Sequence, residues 1–463
     1  MSEPLRQFVV ADLTPMVGAV LASVACALLG NFLVLRRLSL MGDAISHAVL
    51  PGLVAAFLVA GSRATGVMFL GAAGAGLLTV IAVEALRRLT RIETGAAMGV
   101  VFSVMFALGV LMMKRAEGLE NVDLDIDCVL NGQLELLFWA VPSSEPLLSA
   151  AGWRGFPPQV LTLLVVCAVC VAAVAVFFKE LRLVSFDAGL ATSLGYPAGM
   201  ISAGLMVLVA GAVVASFQAV GSILVIAMLV CPPATARMLT DRLGRQVSIS
   251  VAIAVVDAVV GYLLATRGPG LLGDEGGAVS AAGMMAVVSG GVLGMAVLGA
   301  PVHGVIARHA RRWKLAREIA EEDILAMLYR IWEQRGAVGT LGVGDAVEAL
   351  GGGHAARVAV KRLVRAGKVE WRDGAGADGG GGAGRSRGAV ALTDAGGREA
   401  RSLVRTHRLW ETYLVEKVGL RSDHVHCTAM ELEHHTTAQM RSELAPEGAA
   451  PAIDPQGKAI PPA

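Results

Sequence analysis

RRLSLMGDAISHAVLPG, residues 36–52, puts two arginines, an aspartate and a histidine at the mouth of an apolar run. Asp43 and His47 are four residues apart, so a helix carries both on one face. Ionisable side chains at the depth of a membrane span are costly, and they usually face a polar path or one another. A carboxylate beside an imidazole suits a borderline divalent cation such as Mn2+, Fe2+ or Zn2+. The same pair also reads as an ion pair where the helix meets the membrane near Arg36 and Arg37, with no ligand role. Asp257, in a later apolar run, and Glu84, which Arg87 or Arg88 can pair, are weaker candidates of the same kind.

The surroundings of this stretch are those of a multi-span membrane protein. Of 463 residues, 55% are hydrophobic and 17% charged, with a mean hydropathy of +0.64, too apolar for a soluble protein of this size. The bias is uneven. Long apolar runs fill the chain as far as Pro301, whereas from His303 onward no run approaches the roughly 20 residues that a bilayer demands. The expected domains are therefore a transmembrane domain over 1–302 and two soluble parts, 303–400 and 401–463. The net charge of +1 averages these parts and decides nothing about partners.

Spans are expected near 14–35, 43–61, 64–87, 95–113, 158–178, 197–215, 219–236, 246–266 and 279–300. Basic residues follow the odd-numbered spans: Arg36 and Arg37, then Arg87, Arg88 and Arg91, then Lys179 and Arg182, then Arg237, Arg242 and Arg245, and finally Arg308, Arg311, Arg312 and Lys314. The alternate loops hold fewer: Arg63, then Lys114, Arg115 and Arg154, then Arg267. The basic ends are thus cytoplasmic, the N-terminus outside, and the soluble region in the cytosol beneath the cell (inner) membrane. MSEPLRQF lacks the basic start of a cleavable signal peptide, so the first span is expected to remain. The outside loop 114–157 carries Glu117, Glu120, Asp123, Asp125, Asp127, Glu135 and Glu145; it reads either as a receiving mouth for cations or as a solvated loop. Cys167 and Cys170 form a C-x-x-C pair inside an apolar helix and read as small packing residues.

RRLSLMGDAISHAVLPG closely resembles the signature segment of permeases in the zinc/manganese/iron group of ABC transporters. Three more segments agree in order and spacing: ETGAAMGVVFSVMFALGVLM (93–112), FDAGLATSLGYP (186–197) and VGSILVIAMLVCPPATARMLTDRL (220–243). The resemblance covers nearly the whole membrane domain. It implies an all-helical permease fold with Asp43 and His47 on the metal path, and 186–197 as the segment that couples to an ATPase. That last segment also makes sense from its residues: Phe186, Leu190 and Leu194 recur at helical spacing, Asp187 is an N-cap, and Gly195 follows. A short helix of this kind can dock in a groove, although it also reads as a plain interfacial loop. The chain has no G-x-x-x-x-G-K-[ST] phosphate loop, so no catalytic residue and no bound nucleotide are expected, and hydrolysis falls to a separate ATPase subunit.

Beyond the spans, RHARRWKLAREIAEEDILAMLYRIWEQRG is amphipathic, with Ile324, Leu325, Leu328, Ile331 and Trp332 as its apolar face. VGDAVEALGGGHAARVAVKRLVRAGKVEW has the helix, glycine break, helix and strand order of a winged helix-turn-helix. AVALTDAGGREARSLVRTHRLWETYLVEKVGL supplies a wing strand and a long helix. His407 and Glu411 are four apart; His426 lies one turn before Met430, and Glu433 with His434 one turn after it. Such clustering suits Fe2+ or Mn2+, although polar surface helices carry the same residues.

This region resembles the diphtheria-toxin-repressor family of metal-dependent regulators. The resemblance implies that Asp323, Met430, Glu433 and His434 hold a primary metal, and that His407, Glu411 and His426 hold an ancillary one. Met430 replaces the Cys or Glu of the iron and manganese branches, and Ala326 stands where manganese-type members carry a second acid. The recognition helix would offer Lys361, Arg362 and Arg365 to phosphates, but it is poor in base-reading side chains, and GADGGGGAGRSRG (376–388) lengthens the wing. The expected protein is an ABC permease subunit for Mn2+, Fe2+ or Zn2+ with a fused metal sensor. Its partners would be an ATPase, an extracytoplasmic metal-binding protein and a second copy or similar permease, with DNA as a further possibility. The alternative is a membrane-tethered metal-dependent transcriptional regulator.

Overall fold

The computed structural model describes residues 8–38, 41–61, 65–90, 92–120, 134–140, 155–271, 279–336, 339–351, 354–372, 388–444 and 451–462. Contacts divide the chain into two units, Met1–Ala307 and Arg308–Ala463.

The first unit is helical. Among the described residues, nine helices are long and apolar enough to cross a membrane. They are α1 (Thr14–Leu35, prolonged by a π-helical turn, Phe8–Leu13), α2 (Met41–Ala60), α3 (Thr65–Thr90) and α4 (Thr94–Glu120). Next come α5 (Pro158–Val176), the short α6 (Phe178–Phe186) and α7 (Ala188–Ser193), and then α8 (Ala198–Val220), α9 (Ser222–Leu239), α10 (Leu243–Leu271) and α11 (Ala281–Gly299). α4 continues past the expected end of its span, so Lys114 and Arg115 are helical rather than in a loop. Of the acidic loop, Asp123, Asp125, Asp127 and Glu145 lie outside the described residues, as do the side chains of Glu117, Glu120 and Glu135.

Helix α1 is the core of this unit. It packs on α5, α8, α9 and α10, and its Leu29, Phe32 and Leu33 are wholly buried. α2 packs on α3 and α4. Small residues set these spacings, as expected where lipid gives no hydrophobic drive between helices: a methyl on Gly52 of α2 would overlap the Gly71 carbonyl oxygen of α3. Gly221, with φ +81°, makes the sharp break between α8 and α9 that an L side chain rarely adopts. Polar groups inside the bundle answer one another. Asn31 Nδ2 donates to Ser250 Oγ at 2.6 Å, and Gln246 Nε2 to Asn31 Oδ1 at 3.1 Å, tying α10 to α1. Cys167 and Cys170 are buried free thiols on α5. Glu84 is paired with Arg87 at 2.9 Å on an exposed stretch of α3.

The second unit starts within α12 (Val305–Arg335) and has a winged-helix core. α13 (Val343–Ala349) and α14 (His354–Arg365) pack beside a three-stranded antiparallel sheet of β1 (Leu341–Gly342), β2 (Val369–Arg372) and β3 (Ala389–Leu392). The strand order is β1-β3-β2, with Val369 opposite Leu392 and Trp371 opposite Val390. Ile324, Leu328, Val360, Leu363, Val390 and Val404 form its core. The apolar face of α12 differs by one turn from the sequence expectation: Tyr329 is buried, whereas Trp332 is 43% exposed. The buried face of α12 thus ends at Tyr329. Thr393 caps the long α15 (Asp394–Glu416) by accepting from Gly396 N at 3.2 Å; α16 (His426–Glu433), α17 (Ala438–Leu444) and the tail 451–462 follow. Residues 376–387 of the glycine-rich wing lie outside the described residues.

Candidate metal-binding sites

Near the start of α2, His47 Nε2 stands 3.3 Å from Asp43 Oδ1, with side chains 24% and 38% exposed. Phe102 and Phe106 of α4 meet the imidazole edge-on, with ring centroids at 4.8 and 5.6 Å. His47 Nδ1 is buried and has no hydrogen-bond partner among the described residues. Pro51 lies four residues on, inside α2. It has no N–H to give the His47 carbonyl, so that oxygen loses its helical bond. One turn therefore pairs a carboxylate with an imidazole, the ring lying against two phenylalanines. This donor set can hold a desolvating dication.

At the junction of α6 and α7, Asp187 Oδ1 accepts from Leu190 N at 2.9 Å, the N-cap that the sequence implies. Ala191 is buried beside Val184 and Ala198, which anchors the segment. Phe186, Leu190 and Leu194 are 60%, 49% and 60% exposed, and Gly195 turns the chain away at φ +85°. Three large apolar side chains thus stand exposed along a short, braced helical corner.

The second unit has two groups of ligating atoms, each within 4.8 Å of one another: His407, Glu411 and His426, and Asp323, Glu433 and His434. In the first, Glu411 Oε1 lies 3.1 Å from His407 Nε2 and 2.8 Å from His426 Nδ1. In the second, His434 Nε2 lies 3.3 Å from Asp323 Oδ1 and 3.8 Å from Glu433 Oε1. Helices α12, α15 and α16 bring these residues together. Met430 sits one turn before Glu433 and is 38% exposed, and Ala326 is buried in the winged-helix core.

The charges explain why these imidazoles sit here. Asp323 first, and then Glu322, push the His434 ring up to about 10, against the opposing effect of burial. Burial works to lower the His407 value, but Glu411 and Glu433 outweigh it and the ring is raised. Burial likewise works to raise Glu411, but His407 and His426 hold it below the usual carboxylate range. Protons thus occupy the positions that a dication would neutralise. His407 Nδ1 and Glu433 Oε2 lie 2.7 Å apart, yet neither buried atom completes a hydrogen bond. Nitrogen and carboxylate donors of this sort fit Mn2+, Fe2+ or Zn2+.

Two neighbours escape the sequence reading. Glu322 Oε2 lies 2.5 Å from His434 Nδ1 and orients the ring from behind; its one signal was the acidic run before Ile324. Gln456 of the tail reaches Glu411 Oε1 through Nε2 at 3.4 Å, and nothing local in the sequence marks it. The tail is held down by Arg408, which is 4% exposed, pairs with Glu333 at 2.6 Å and donates to the Ala459 carbonyl. Arg408 also lies 3.6 Å from Asp454. On α14, Lys361, Arg362 and Arg365 are exposed, but Arg362 already pairs with Glu321 at 3.1 Å.

Comparison with known proteins agrees with both units. Residues 13–137 and 157–273 match the ABC 3 transport family, and residues 393–462 match the iron dependent repressor, metal binding and dimerisation domain. The manganese transport system membrane protein MntD of Bacillus subtilis is 38% identical over 301 residues, covering 65% of this chain and 96% of that one. The zinc transport system membrane protein TroD of Treponema pallidum is 39% identical over 292 residues, covering 63% and 74%. Among solved structures, PsaBC from Streptococcus pneumoniae in complex with Fab aligns with a TM-score of 0.52 and 26% identity, covering 65% of this chain and 96% of that one. The chain is a multi-pass membrane protein that belongs to the ABC 3 transport family and carries a C-terminal repressor-type metal binding and dimerisation domain.

Proposed function

We propose that this chain is the permease subunit of an ABC importer for Mn2+, Fe2+ or Zn2+, and that its C-terminal unit senses the same class of metal in the cytosol. The Asp43–His47 pair carries the reading: a carboxylate and an imidazole with an unpartnered buried nitrogen, in the opening turns of span α2 and one turn before Pro51. Relatives in manganese, zinc and iron transport systems support the substrate class. A separate ATPase would dock on Phe186, Leu190 and Leu194, an extracytoplasmic binding protein would deliver the metal, and a second copy or similar permease would complete the path. Clustering of basic residues at alternate span ends supports a cytoplasmic C-terminus. Asp323, Glu433 and His434, with Met430 beside them, would hold one regulatory metal, and His407, Glu411 and His426 another. DNA contact is a second reading, in which exposed Lys361 and Arg365 would face phosphates and Arg362 would first release Glu321.

The test is uptake of radioactive manganese or zinc by cells lacking their own importer, with the ATPase and binding protein supplied. Asp43→Ala and His47→Ala should each reduce uptake to background. Uptake by the unaltered chain that never exceeds background would overturn the proposal.

A further inference from the structure

Three adjoining spans each place a polar side chain at mid-length: Cys231 on α9, Asp257 on α10 and Ser289 on α11. These helices pack on one another pairwise. Gly261, one turn beyond Asp257, lies against Met285, one turn before Ser289, so α10 and α11 approach closely at this depth. Asp257 and Ser289 are each 1% exposed. Both Asp257 oxygens and the Ser289 hydroxyl are buried without a hydrogen-bond partner among the described residues. Ser289 neighbours both the Asp257 carboxyl and the Cys231 thiol.

A carboxylate at bilayer depth needs a counter-charge, since an uncompensated buried ion is strongly disfavoured. No cationic side chain pairs with Asp257 among the described residues. Without a cation, neutrality at this depth requires a proton on the carboxyl and another on the thiol. Sulfur, carboxylate and hydroxyl converging from three helices make a donor set for a borderline-to-soft dication. We propose that Cys231, Asp257 and Ser289 form an intramembrane site for a thiophilic divalent cation, separate from the Asp43–His47 pair on α2.

The charges balance in such an exchange. One dication enters, forming bonds to the Asp257 oxygen and the Cys231 sulfur, and those two groups release one proton each. The Ser289 hydroxyl keeps its proton and donates a lone pair. Two negative donors then cancel two positive charges, so the bilayer centre carries no net charge before or after binding. The site needs neither the coupling helix nor transport.

Cd2+ is the probe, added to the full chain in lipid nanodiscs on an Asp43→Ala background, with ultraviolet thiolate-to-cadmium absorption as the readout. The difference between this protein and its Cys231→Ser derivative should equal one thiolate per chain. Asp257→Asn, which keeps the shape, should weaken that component about ten-fold or more. Without any substitution at the cluster, Cd2+ should also slow alkylation of Cys231 by a membrane-permeant maleimide, measured by mass spectrometry, whereas Mg2+ should not. The proposal is overturned by absorption unchanged in Cys231→Ser, by affinity unchanged in Asp257→Asn, or by alkylation indifferent to Cd2+. Because binding alone is read, failed transport would leave the result standing.

Discussion

The imidazole of His407 stands between two carboxylates, Nε2 at 3.1 Å from Glu411 Oε1 and Nδ1 at 2.7 Å from Glu433 Oε2. Glu411 belongs to one candidate metal cluster and Glu433 to the other, so a single ring touches both. A ligand bond at one ring nitrogen fixes where the proton sits on the other, and that in turn orients the second carboxylate.

His407→Ala should therefore weaken metal binding at both clusters, by about ten-fold or more each. Glu411→Ala should act mainly on its own cluster. Metal titration of the full chain, with two resolvable classes of site, distinguishes these outcomes. Equal and isolated effects from the two substitutions would contradict a shared ring.

Binding at Asp323, Glu433 and His434 should tighten as pH rises. The proton on His434 is held by Asp323 and Glu322 up to about 10, well above the imidazole value of 6.5. In the metal-free protein its stabilising contribution is complete below pH 6.5 and is lost as pH climbs toward 10. A metal must displace that proton, so apparent affinity should rise between these limits, by up to about ten-fold per pH unit. Titrations at pH 6.5, 7.5 and 8.5 provide the check, and the metal-free unfolding temperature of this unit should fall over the same range.

Gly52→Ala should destabilise the membrane unit, because the added methyl would meet the Gly71 carbonyl and the Ala75 side chain. Overpacking of this kind costs about 1–3 kcal/mol. Gly74→Ala, on the same neighbouring helix but facing open space, should be nearly silent. Thermal unfolding in detergent compares the two.

Leu190→Ser and Phe186→Ser should leave folding intact, since both side chains are exposed, but they should uncouple metal uptake from ATP hydrolysis. Transport by the reconstituted assembly should fall to background while the unfolding temperature stays within a degree or two of the parent. A substitution at Ala191, which is fully buried, should instead damage the fold itself.

The spans are legible in the sequence because lipid imposes length and composition together, so apolar runs broken by arginines mark both helices and ends. The winged helix is legible from its order of helices and its glycine break. Spacing within one helix reveals pairs such as Asp43 with His47, and His407 with Glu411. Contacts between elements distant in the chain leave no such trace. Glu322 reaches His434 across 112 positions, and Gln456 reaches Glu411 across 45, each through tertiary packing alone. Trp332 is exposed where periodicity predicts burial, because amphipathic periodicity cannot tell where the partner surface stops.

Residues 451–462 are also bound to α15. Asp454 receives N–H groups from Gln456 and Lys458, Arg408 grips the Ala459 carbonyl, and Arg405 the Pro461 carbonyl. The two arginine bonds attach this segment to the helix that carries His407 and Glu411. A protease that trimmed it would leave Arg408 buried with fewer partners and would bare one side of the candidate cluster at Glu411. A reporter joined to residues 451–462 would load the same contacts, so this segment is a poor place for a handle.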